Sequence, residues 1–396
     1  MTTKRAGLLK GHVNIPSSER IVFGEALEEA ILAEAQRYGA RRIFLTSTRS
    51  LAKLADGPLQ RAERALGSLH VGTFAEVSSH SPREDVIAGA RLARAAKTDL
   101  LVAIGGGSVI DATKAMLMCL WFDLDSIDAM EPFRAGIDVV GGERITAPAD
   151  PVRMLAVSTT LSASEFTQTA GVTLSSSNTK QSFLHRLFAP RSVILDPAAT
   201  LDTPQWLLFA TGIRAVDHAV ESFCNLKANP ATEAASLQGL RLLYRALPAI
   251  KARPDDLAAR LDAQFGMWQS IQPSVAGVGS GASHGIGYAL GATFGVPHGH
   301  TSCVMLPAVL AWNSPVNGER QKALSAAMGS PDKAASELVK GLIGGLDQPT
   351  SLRDVGITRD KLDEIAQRAL VYKPVKINPR PIRSAADVRE ILELAW

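Results

Sequence analysis

A glycine triplet between an apolar run and a helical pattern constrains the fold of this chain more than any other feature. The run Leu100–Ile104 is typical of a buried parallel strand, and Gly105, Gly106 and Gly107 follow it directly. Apolar residues at helical spacing begin at Val109. Such a turn has no Cβ atoms and leads into a helix N-terminus, so its free N–H groups can bind a pyrophosphate. The alternative is a turn that binds nothing, since the spacing differs from G-x-G-x-x-G.

Strand and helix patterns alternate around this turn and predict the fold class. We predict strands at 20–24, 42–46, 72–77, 100–104 and 153–157, helices at 25–38, 58–67 and 83–97, and an irregular stretch at 122–150. From Pro204 onward helical patterns dominate, at about 205–225, 230–248, 255–270, 280–293, 301–313, 318–327, 331–345 and 359–370. We therefore expect an α/β, Rossmann-like nucleotide-binding domain over residues 1–197 and an all-helical domain over residues 198–396.

Composition and charge exclude several classes of protein. The 396 residues are 46% hydrophobic and 20% charged, as in globular proteins, and a net charge of +3 without a basic run argues against nucleic-acid binding. Three widely spaced cysteines (Cys119, Cys224 and Cys303) fit a reducing compartment. No apolar stretch has the length of a signal peptide or a membrane span, so we expect a cytoplasmic protein with no membrane partner.

Polar residues at predicted strand ends are candidate contacts for a dinucleotide. Small hydroxylated residues follow the strand at 153–157, where they can donate to phosphate, and Ser108 and Asp111 lie in the first turn after the glycines. The candidate cofactor-binding residues are Ser47, Gly105, Gly106, Gly107, Ser108, Asp111, Thr159, Thr160, Ser164 and Lys180.

The end of the strand at 42–46 bears on the choice between NAD and NADP. Acidic residues at such a position often hold the ribose hydroxyls, but here Ser47 and Thr48 are neutral and Arg49 is basic. Arg49 therefore leaves room for the 2′-phosphate of NADPH. The alternative is that Arg49 is only a solvated loop charge.

Histidines concentrate in two stretches of the helical half. Arg214 and His218 are four residues apart and share one helix face, as do His284 and Tyr288, and His298 follows a proline where a helix or turn begins. The three histidines can converge on one cation such as Zn²⁺ or Fe²⁺. The alternative is that they are ordinary core or surface histidines.

Residues 105–114, 213–221 and 284–307, with 378–381 as a weaker match, resemble the iron-containing (group III) alcohol dehydrogenase superfamily. The resemblance covers nearly the whole chain. It implies the dehydroquinate synthase-like fold of that superfamily, NAD or NADP in the cleft between the two domains, and a homodimer. The loop at 159–165 and the segment His80–Pro82 are most similar to the maleylacetate reductase-like branch.

The resemblance also implies a metal site, from which this chain departs. Metal-dependent members use an aspartate and three histidines that match His218, His284 and His298, whereas the aspartate position is Arg214 here. A guanidinium cannot ligate a cation. Our hypothesis is that Arg214 replaces the metal by polarising a carbonyl or binding a substrate carboxylate. The alternative is that it pairs with Asp217 or Glu221 and only fills the site.

The resemblance predicts an NAD(P)H-dependent reductase of the maleylacetate reductase type, acting without metal on a small carboxylated substrate that contains a carbonyl or an activated double bond. Members usually carry a histidine where this chain has Tyr288, so one of the other histidines can supply the proton instead. The candidate catalytic residues are Arg214, His218, His284, Tyr288 and His298. One alternative is an alcohol dehydrogenase that holds Fe or Zn on the three histidines, and another is a nucleotide-binding protein without turnover.

Overall fold

A parallel sheet forms the core of the first half in the computed structural model, which describes residues 13, 15, 17–135, 146–177 and 179–396. The strands are β1 (Arg20–Phe23), β2 (Ile43–Thr46), β3 (His70–Phe74), β4 (Leu100–Gly105), β5 (Arg153–Ser158), β6 (Thr169–Leu174), β7 (Thr179–Leu184) and β8 (Ser192–Leu195). Six strands pair in the order β1-β8-β5-β4-β2-β3, all parallel, while β6 and β7 form a separate antiparallel hairpin. The carboxyl ends of β2, β4 and β5 therefore lie side by side.

Helices cover both faces of the sheet, as the continuous apolar sequence of β4 requires. They are α1 (Leu27–Arg37), α2 (Arg49–Ala52), α3 (Pro58–Leu66), α4 (Arg83–Ala95) and α5 (Gly107–Trp121). Leu101 and Ala103 of β4 pack in the buried cluster that contains α4 and α5. Leu100, Val102 and Ile104 pack with α1 and α3 on the other face. This alternation follows from the two-residue period of a strand.

The second half is helical throughout its described length. Its helices are α6 (Gln205–Cys224), α7 (Pro230–Ala252), α8 (Leu257–Val275), α9 (Ala282–Phe294), α10 (His298–Ala327), α11 (Ala335–Gly345), α12 (Leu362–Ala369), α13 (Lys373–Lys376) and α14 (Ala385–Ala395). Helix α6 is buried along most of its length and packs against α7, α8 and α10. Polar groups on α6 are thereby held inside the protein, and they have to find partners there.

The predicted elements differ from the observed ones in several places. The strand predicted at 72–77 is β3 and begins at His70, and the helices predicted at 301–313 and 318–327 form the single element α10, with non-helical dihedral angles at Asn317. The sequence patterns did not predict β8, the β6–β7 hairpin or α14. Strand β8 is apolar but only four residues long, and β7 is largely exposed and has few apolar residues. Of the irregular stretch predicted at 122–150, residues 136–145 lie outside the described residues.

The predicted fold class, an α/β half followed by an all-helical half, is confirmed. The exact boundary at 197/198 stays a prediction, because Leu161, Phe166 and Leu195 share one buried cluster with Leu208 and Leu247 of the helical half. In the described parts of the chain, we find no helix both long and apolar enough to cross a membrane. The cytoplasmic location and the homodimer stay predictions as well.

Candidate active site

The glycine turn packs closely against the loop that follows β5. A Cβ atom on Gly106 would lie 2.9 Å from Thr160 Cγ2, and one on Gly107 would lie 3.1 Å from Ser162 Oγ. Thr159 N donates to Gly105 O at 3.1 Å, which joins the two loops at their base. Any larger residue in the turn would push these loops apart. The triplet therefore has a packing role at this edge of the sheet.

Two hydroxyls beside the glycines are free to bind a ligand. Thr160 Oγ1 and Ser162 Oγ are buried atoms that find no hydrogen-bond partner among the described residues. Buried polar atoms nearly always have a hydrogen-bond partner. Two buried hydroxyls without one, next to a helix N-terminus, are therefore typical of a site for an anion. The residues present therefore fit the pyrophosphate of a dinucleotide.

Several of the predicted cofactor residues make hydrogen bonds within the protein. Ser47 Oγ donates to Ile104 O at 2.9 Å, and Asp111 Oδ2 accepts from Gly171 N at 3.1 Å. The other carboxylate oxygen of Asp111 accepts from Ser164 Oγ. These bonds fix the walls of the site. Direct contacts of these side chains with a cofactor stay a prediction.

The turn at His80 and Ser81 holds the first turn of α5 in place. His80 N donates to Ser108 Oγ at 3.0 Å, and Ser81 Oγ donates to Ser108 O at 2.7 Å. Both residues adopt left-handed backbone angles, with φ of 65° and 53°. Residues other than glycine rarely adopt such angles, so surrounding contacts have to maintain them. The predicted cofactor contact through the Ser108 hydroxyl would share that oxygen with His80.

An exposed ion pair lies at the ends of β2 and β3. Arg49 Nη2 is 3.2 Å from Glu76 Oε2, and both side chains are largely exposed. The sequence after β2 contains no nearby acid, but the neighbouring strand supplies one. Arg49 is therefore not an isolated cation at the position expected for the adenosine ribose.

The five candidate catalytic residues meet in the helical half. The rings of His218 on α6 and His284 on α9 are 4.9 Å apart, and those of Tyr288 and His298 are nearly parallel at 6.2 Å. The Arg214 guanidinium carbon is 6.0 Å from the centre of the Tyr288 ring. The spacings Arg214–His218 and His284–Tyr288 thus place their members on facing sides of two helices, as the sequence predicted.

The guanidinium of Arg214 is buried, with 5% of the residue exposed. Burial, the nearby His284 and the Arg214 charge hold the pKa of His218 well below its usual range. The Arg214 charge is also the largest cause of a strongly lowered pKa at His298. Its charge thus acts on two of the three histidines that the sequence resemblance predicts as metal ligands.

The two halves of the protein meet close to Arg214. Leu161 N, in the loop after β5, donates at 3.1 Å to Thr211 Oγ1, which lies on α6 one turn before Arg214. Lys180 of β7 is exposed, and its side chain extends across Gly171. The Lys180 charge helps to lower the pKa of both His80 in the α/β half and His298 in the helical half, so Lys180 is close enough to both halves to act on them electrostatically. The predicted cofactor contact of Lys180 stays a prediction.

Two carboxylates that the sequence analysis did not place in the site hold His284. Its Nδ1 lies 2.7 Å from Glu221 Oε2 and 3.3 Å from Asp217 Oδ2. A carboxylate can only accept, so Nδ1 carries the hydrogen and Nε2 is left for a ligand. Burial and Arg214 oppose protonation of His284, but the two acids raise its pKa above the ordinary value. The ring is thereby fixed in one orientation.

Asp217, Glu221 and His284 also meet the geometric condition for a metal-binding group, since their ligand atoms lie within 4.8 Å of one another. These atoms already bond to each other, and Glu221 accepts from Gly281 N at 2.7 Å and from Ser283 N at 2.6 Å. The group is therefore held together by its own hydrogen bonds, while Asp217 Oδ1 and His284 Nε2 are buried and have no partner among the described residues. The i, i+3 spacing of Arg214 and Asp217 is the signal in the sequence that could have placed Asp217 in the site.

Comparison with known proteins identifies the family. Residues 18–197 match the family described as iron-containing alcohol dehydrogenase, and residues 208–396 match the C-terminal part of the Fe-containing alcohol dehydrogenase family. The chain belongs to the iron-containing alcohol dehydrogenase family. It is an oxidoreductase, and the predicted family is confirmed.

Several members of the family are similar to this chain over its full length. A maleylacetate reductase from Sphingobium indicum is 32% identical over 375 residues, or 94% of each chain. A 4-hydroxybutyrate dehydrogenase from Cupriavidus necator is 32% identical over 91% of this chain and 94% of its own. The crystal structure of maleylacetate reductase from Agrobacterium tumefaciens has a TM-score of 0.81 and 26% identity, covering 98% of this chain and 99% of its own.

A buried carboxyl, Glu165, lies under the loop after β5. One oxygen accepts from Ser158 Oγ, and the other has no partner among the described residues. Burial raises the pKa of Glu165 to about 7. Nearby, Lys114 is buried and donates to Ser164 O at 2.6 Å and to Thr169 O at 3.0 Å, and burial lowers its pKa to about 8. Both groups support the loop from below.

The raised pKa of Glu165 predicts a pH-dependent stability. The folded protein keeps a proton that the unfolded chain releases between about pH 4.5 and about pH 7, so the free energy of unfolding falls as pH rises through that window. We expect a loss of up to about 3 kcal/mol, and E165Q should lack it because its amide does not titrate. Urea unfolding at a series of pH values measures the free energy of unfolding of the wild type and of E165Q. Parallel profiles for the two proteins would contradict the assignment.

Proposed function

We propose that this protein is an NAD(P)H-dependent reductase of the maleylacetate reductase type, which reduces a small carboxylated substrate without a metal ion. The observation that carries the proposal is the buried Arg214 guanidinium, whose charge acts on three histidines and which lies one helical turn after the contact of α6 with the loop after β5. Enzymes of this family depend on NAD(P), and the similarity to maleylacetate reductases extends over most of the chain.

The α/β half supplies the cofactor-binding wall in this proposal. The N–H groups at the start of α5 and the free hydroxyls of Thr160 and Ser162 bind the pyrophosphate. The reduced cofactor, when bound, supplies the hydride. Thr159 and Ser164 hold the loop after β5 against the glycines, against α5 and against the segment just before α6, because they bond to Gly105, Asp111 and Thr203.

Arg214 binds and orients the substrate in this proposal. Its Nη1 donates to Ser302 Oγ at 2.9 Å, while its other two nitrogens make no hydrogen bond within the described part of the chain. A guanidinium with a free edge can bind a carboxylate through two parallel hydrogen bonds or polarise a carbonyl. Such charge-assisted bonds are strong in a buried site, where water does not compete for the guanidinium.

The histidines and Tyr288 are the proposed proton donors. His284 is the best oriented of them, because two carboxylates hold its Nδ1 and its Nε2 is a buried atom without a partner among the described residues. His218 and His298 have lowered pKa values and stay neutral near pH 7. Neutral imidazoles beside Arg214 add no further positive charge to the site.

A divalent cation does not fit this set of donors. The fourth position of the family's ligand set holds a guanidinium, which cannot coordinate a cation and repels it. One observation favours a second candidate, a metal-dependent alcohol dehydrogenase. His218 Nδ1 and His284 Nε2 are buried without partners, as metal-ligating nitrogens would be. This candidate requires Arg214 to move away from the histidines.

Kinetics of Arg214 variants test the proposed substrate role. We expect wild-type protein to oxidise NADH or NADPH with maleylacetate, and a chelator to leave that activity unchanged. R214A should raise KM for maleylacetate by about 10- to 100-fold, since a charge-assisted bond contributes about 1.5–3 kcal/mol. R214K keeps the positive charge but cannot make two parallel hydrogen bonds as a guanidinium does, so its KM should fall between those of the wild type and R214A.

Simple aldehydes serve as comparison substrates in the same assay, and 4-hydroxybutyrate, an alcohol, is assayed in the opposite direction by its reduction of NAD⁺ or NADP⁺. Activity that disappears with chelator and returns with Fe²⁺ or Zn²⁺ would select the metal-dependent alternative. Cofactor binding without oxidation of NAD(P)H by any substrate would indicate a nucleotide-binding protein without turnover. An unchanged KM in R214A would contradict the role of Arg214.

The metal content of Arg214 variants tests whether the missing carboxylate ligand is the reason why the site works without a cation. R214D restores a carboxylate beside the three histidines, and we expect the purified variant to bind about one Zn²⁺ per chain. Wild-type protein and R214A, which lack that ligand, should bind far less. Elemental analysis after dialysis against Zn²⁺ measures this without an activity assay. Stoichiometric metal in the wild-type protein would contradict the proposal.

The Arg49–Glu76 pair sets the proposed choice between cofactors. A 2′-phosphate on the ribose would approach the Glu76 carboxylate as well as Arg49, and the like charges would repel. We therefore expect NADH to be preferred, and E76Q to raise the NADPH-to-NADH ratio of kcat/KM by about fivefold, or ~1 kcal/mol. The double variant R49Q/E76Q should lose this gain. A ratio that is unchanged in E76Q would place the ribose elsewhere.

A further inference from the structure

A buried serine stands between Arg214 and its nearest carboxylate. We propose that Ser302, backed by Asp217, is the positioning residue that holds the Arg214 guanidinium for the substrate. This inference rests on the proposed function, in which Arg214 binds a substrate carboxylate. It adds a residue on α10 that the sequence analysis did not connect with the site.

The hydrogen bonds of Ser302 have only one possible direction. Ser302 Oγ lies 2.6 Å from Asp217 Oδ2 and 2.9 Å from Arg214 Nη1. The hydroxyl has a single hydrogen, which goes to the carboxylate because a carboxylate can only accept. Its lone pairs therefore face Arg214 and accept from Nη1. Each of the two hydrogen bonds that link Arg214, Ser302 and Asp217 therefore has a fixed donor and a fixed acceptor.

The serine keeps the cation and the acid close without a direct hydrogen bond. Arg214 Nη1 is 3.9 Å from Asp217 Oδ2, which is beyond hydrogen-bond distance. The Asp217 charge still offsets the buried guanidinium, as a buried charge requires. A direct two-point pair with Asp217 would occupy the edge of the guanidinium that the substrate needs. With Ser302 in between, Arg214 uses only one nitrogen for hydrogen bonds among the described residues.

Asp217 does not depend on Ser302 for its own position. It is fully buried, and its Oδ2 also accepts from Ser283 Oγ on α9 at 2.8 Å and lies 3.3 Å from His284 Nδ1. Loss of the Ser302 hydroxyl therefore leaves the carboxylate in place and frees only the guanidinium. An arginine side chain that is free to rotate loses rotamer entropy when a substrate orders it, so the freed guanidinium binds more weakly.

Two serine-to-alanine changes at the same carboxylate give a matched test. S302A removes the bond to Arg214, whereas S283A removes a bond of similar length to Asp217 without touching Arg214. We expect S302A to raise KM for maleylacetate by about tenfold while the NADH dissociation constant stays within about twofold. S283A should leave KM within about twofold, and S302T, which keeps the hydroxyl, should restore most of the affinity.

A double variant and a crystal structure complete the test. The double variant R214A/S302A should have the same KM as R214A, because both substitutions act through the same guanidinium. If S302A and S283A shift KM equally, or if S302A leaves it unchanged while R214A raises it, the positioning role is overturned.

The crystal structure of S302A separates this proposal from the proposed function. A displaced Arg214 side chain supports positioning by Ser302, and an Arg214 that stays in place overturns it. If R214A leaves KM unchanged, the substrate role of Arg214 fails, while the position of Arg214 in S302A still decides the role of Ser302.

Discussion

A buried positive charge organises the helical half of this protein. Arg214 lies on α6, which is buried along most of its length, and Asp217 offsets its charge at 3.9 Å, with the Ser302 hydroxyl between them. Charges inside a protein are tolerated only when they are paired and hydrogen-bonded. The same charge lowers the pKa of His218 and His298, so those rings stay neutral beside it. In the proposed function, this charge takes the place of the cation that the sequence resemblance implies for metal-dependent members of the family.

The α/β half provides the second constraint, which is close approach of two loops. The glycine turn after β4 and the hydroxyl-rich loop after β5 touch where only small residues fit. Leu161 in the loop after β5 donates to Thr211 on α6, so the glycine turn and the helix that carries Arg214 are joined through this loop. In the proposed function, the loop after β5 therefore brings the cofactor and the substrate together, and it is supported by the buried Glu165 and Lys114.

Local patterns in the sequence predicted much of this arrangement. The glycine triplet and the apolar strand before it predicted the strand, turn and helix of β4 and α5, and the four-residue spacings of Arg214–His218 and His284–Tyr288 predicted the shared helix faces. Contacts between distant segments were not accessible in this way. Ser302 is 85 residues from Asp217, and nothing in either local pattern links them. The burial of Glu165 likewise depends on packing that periodicity does not reveal.

A crystal structure of the complex with NAD⁺ and fumarate, an unreactive dicarboxylate, tests the central claim most directly. The account predicts one fumarate carboxylate at hydrogen-bond distance from the free edge of Arg214, and no metal density between the histidines. A carboxylate bound away from Arg214, or a cation coordinated by His218, His284 and His298, would contradict it.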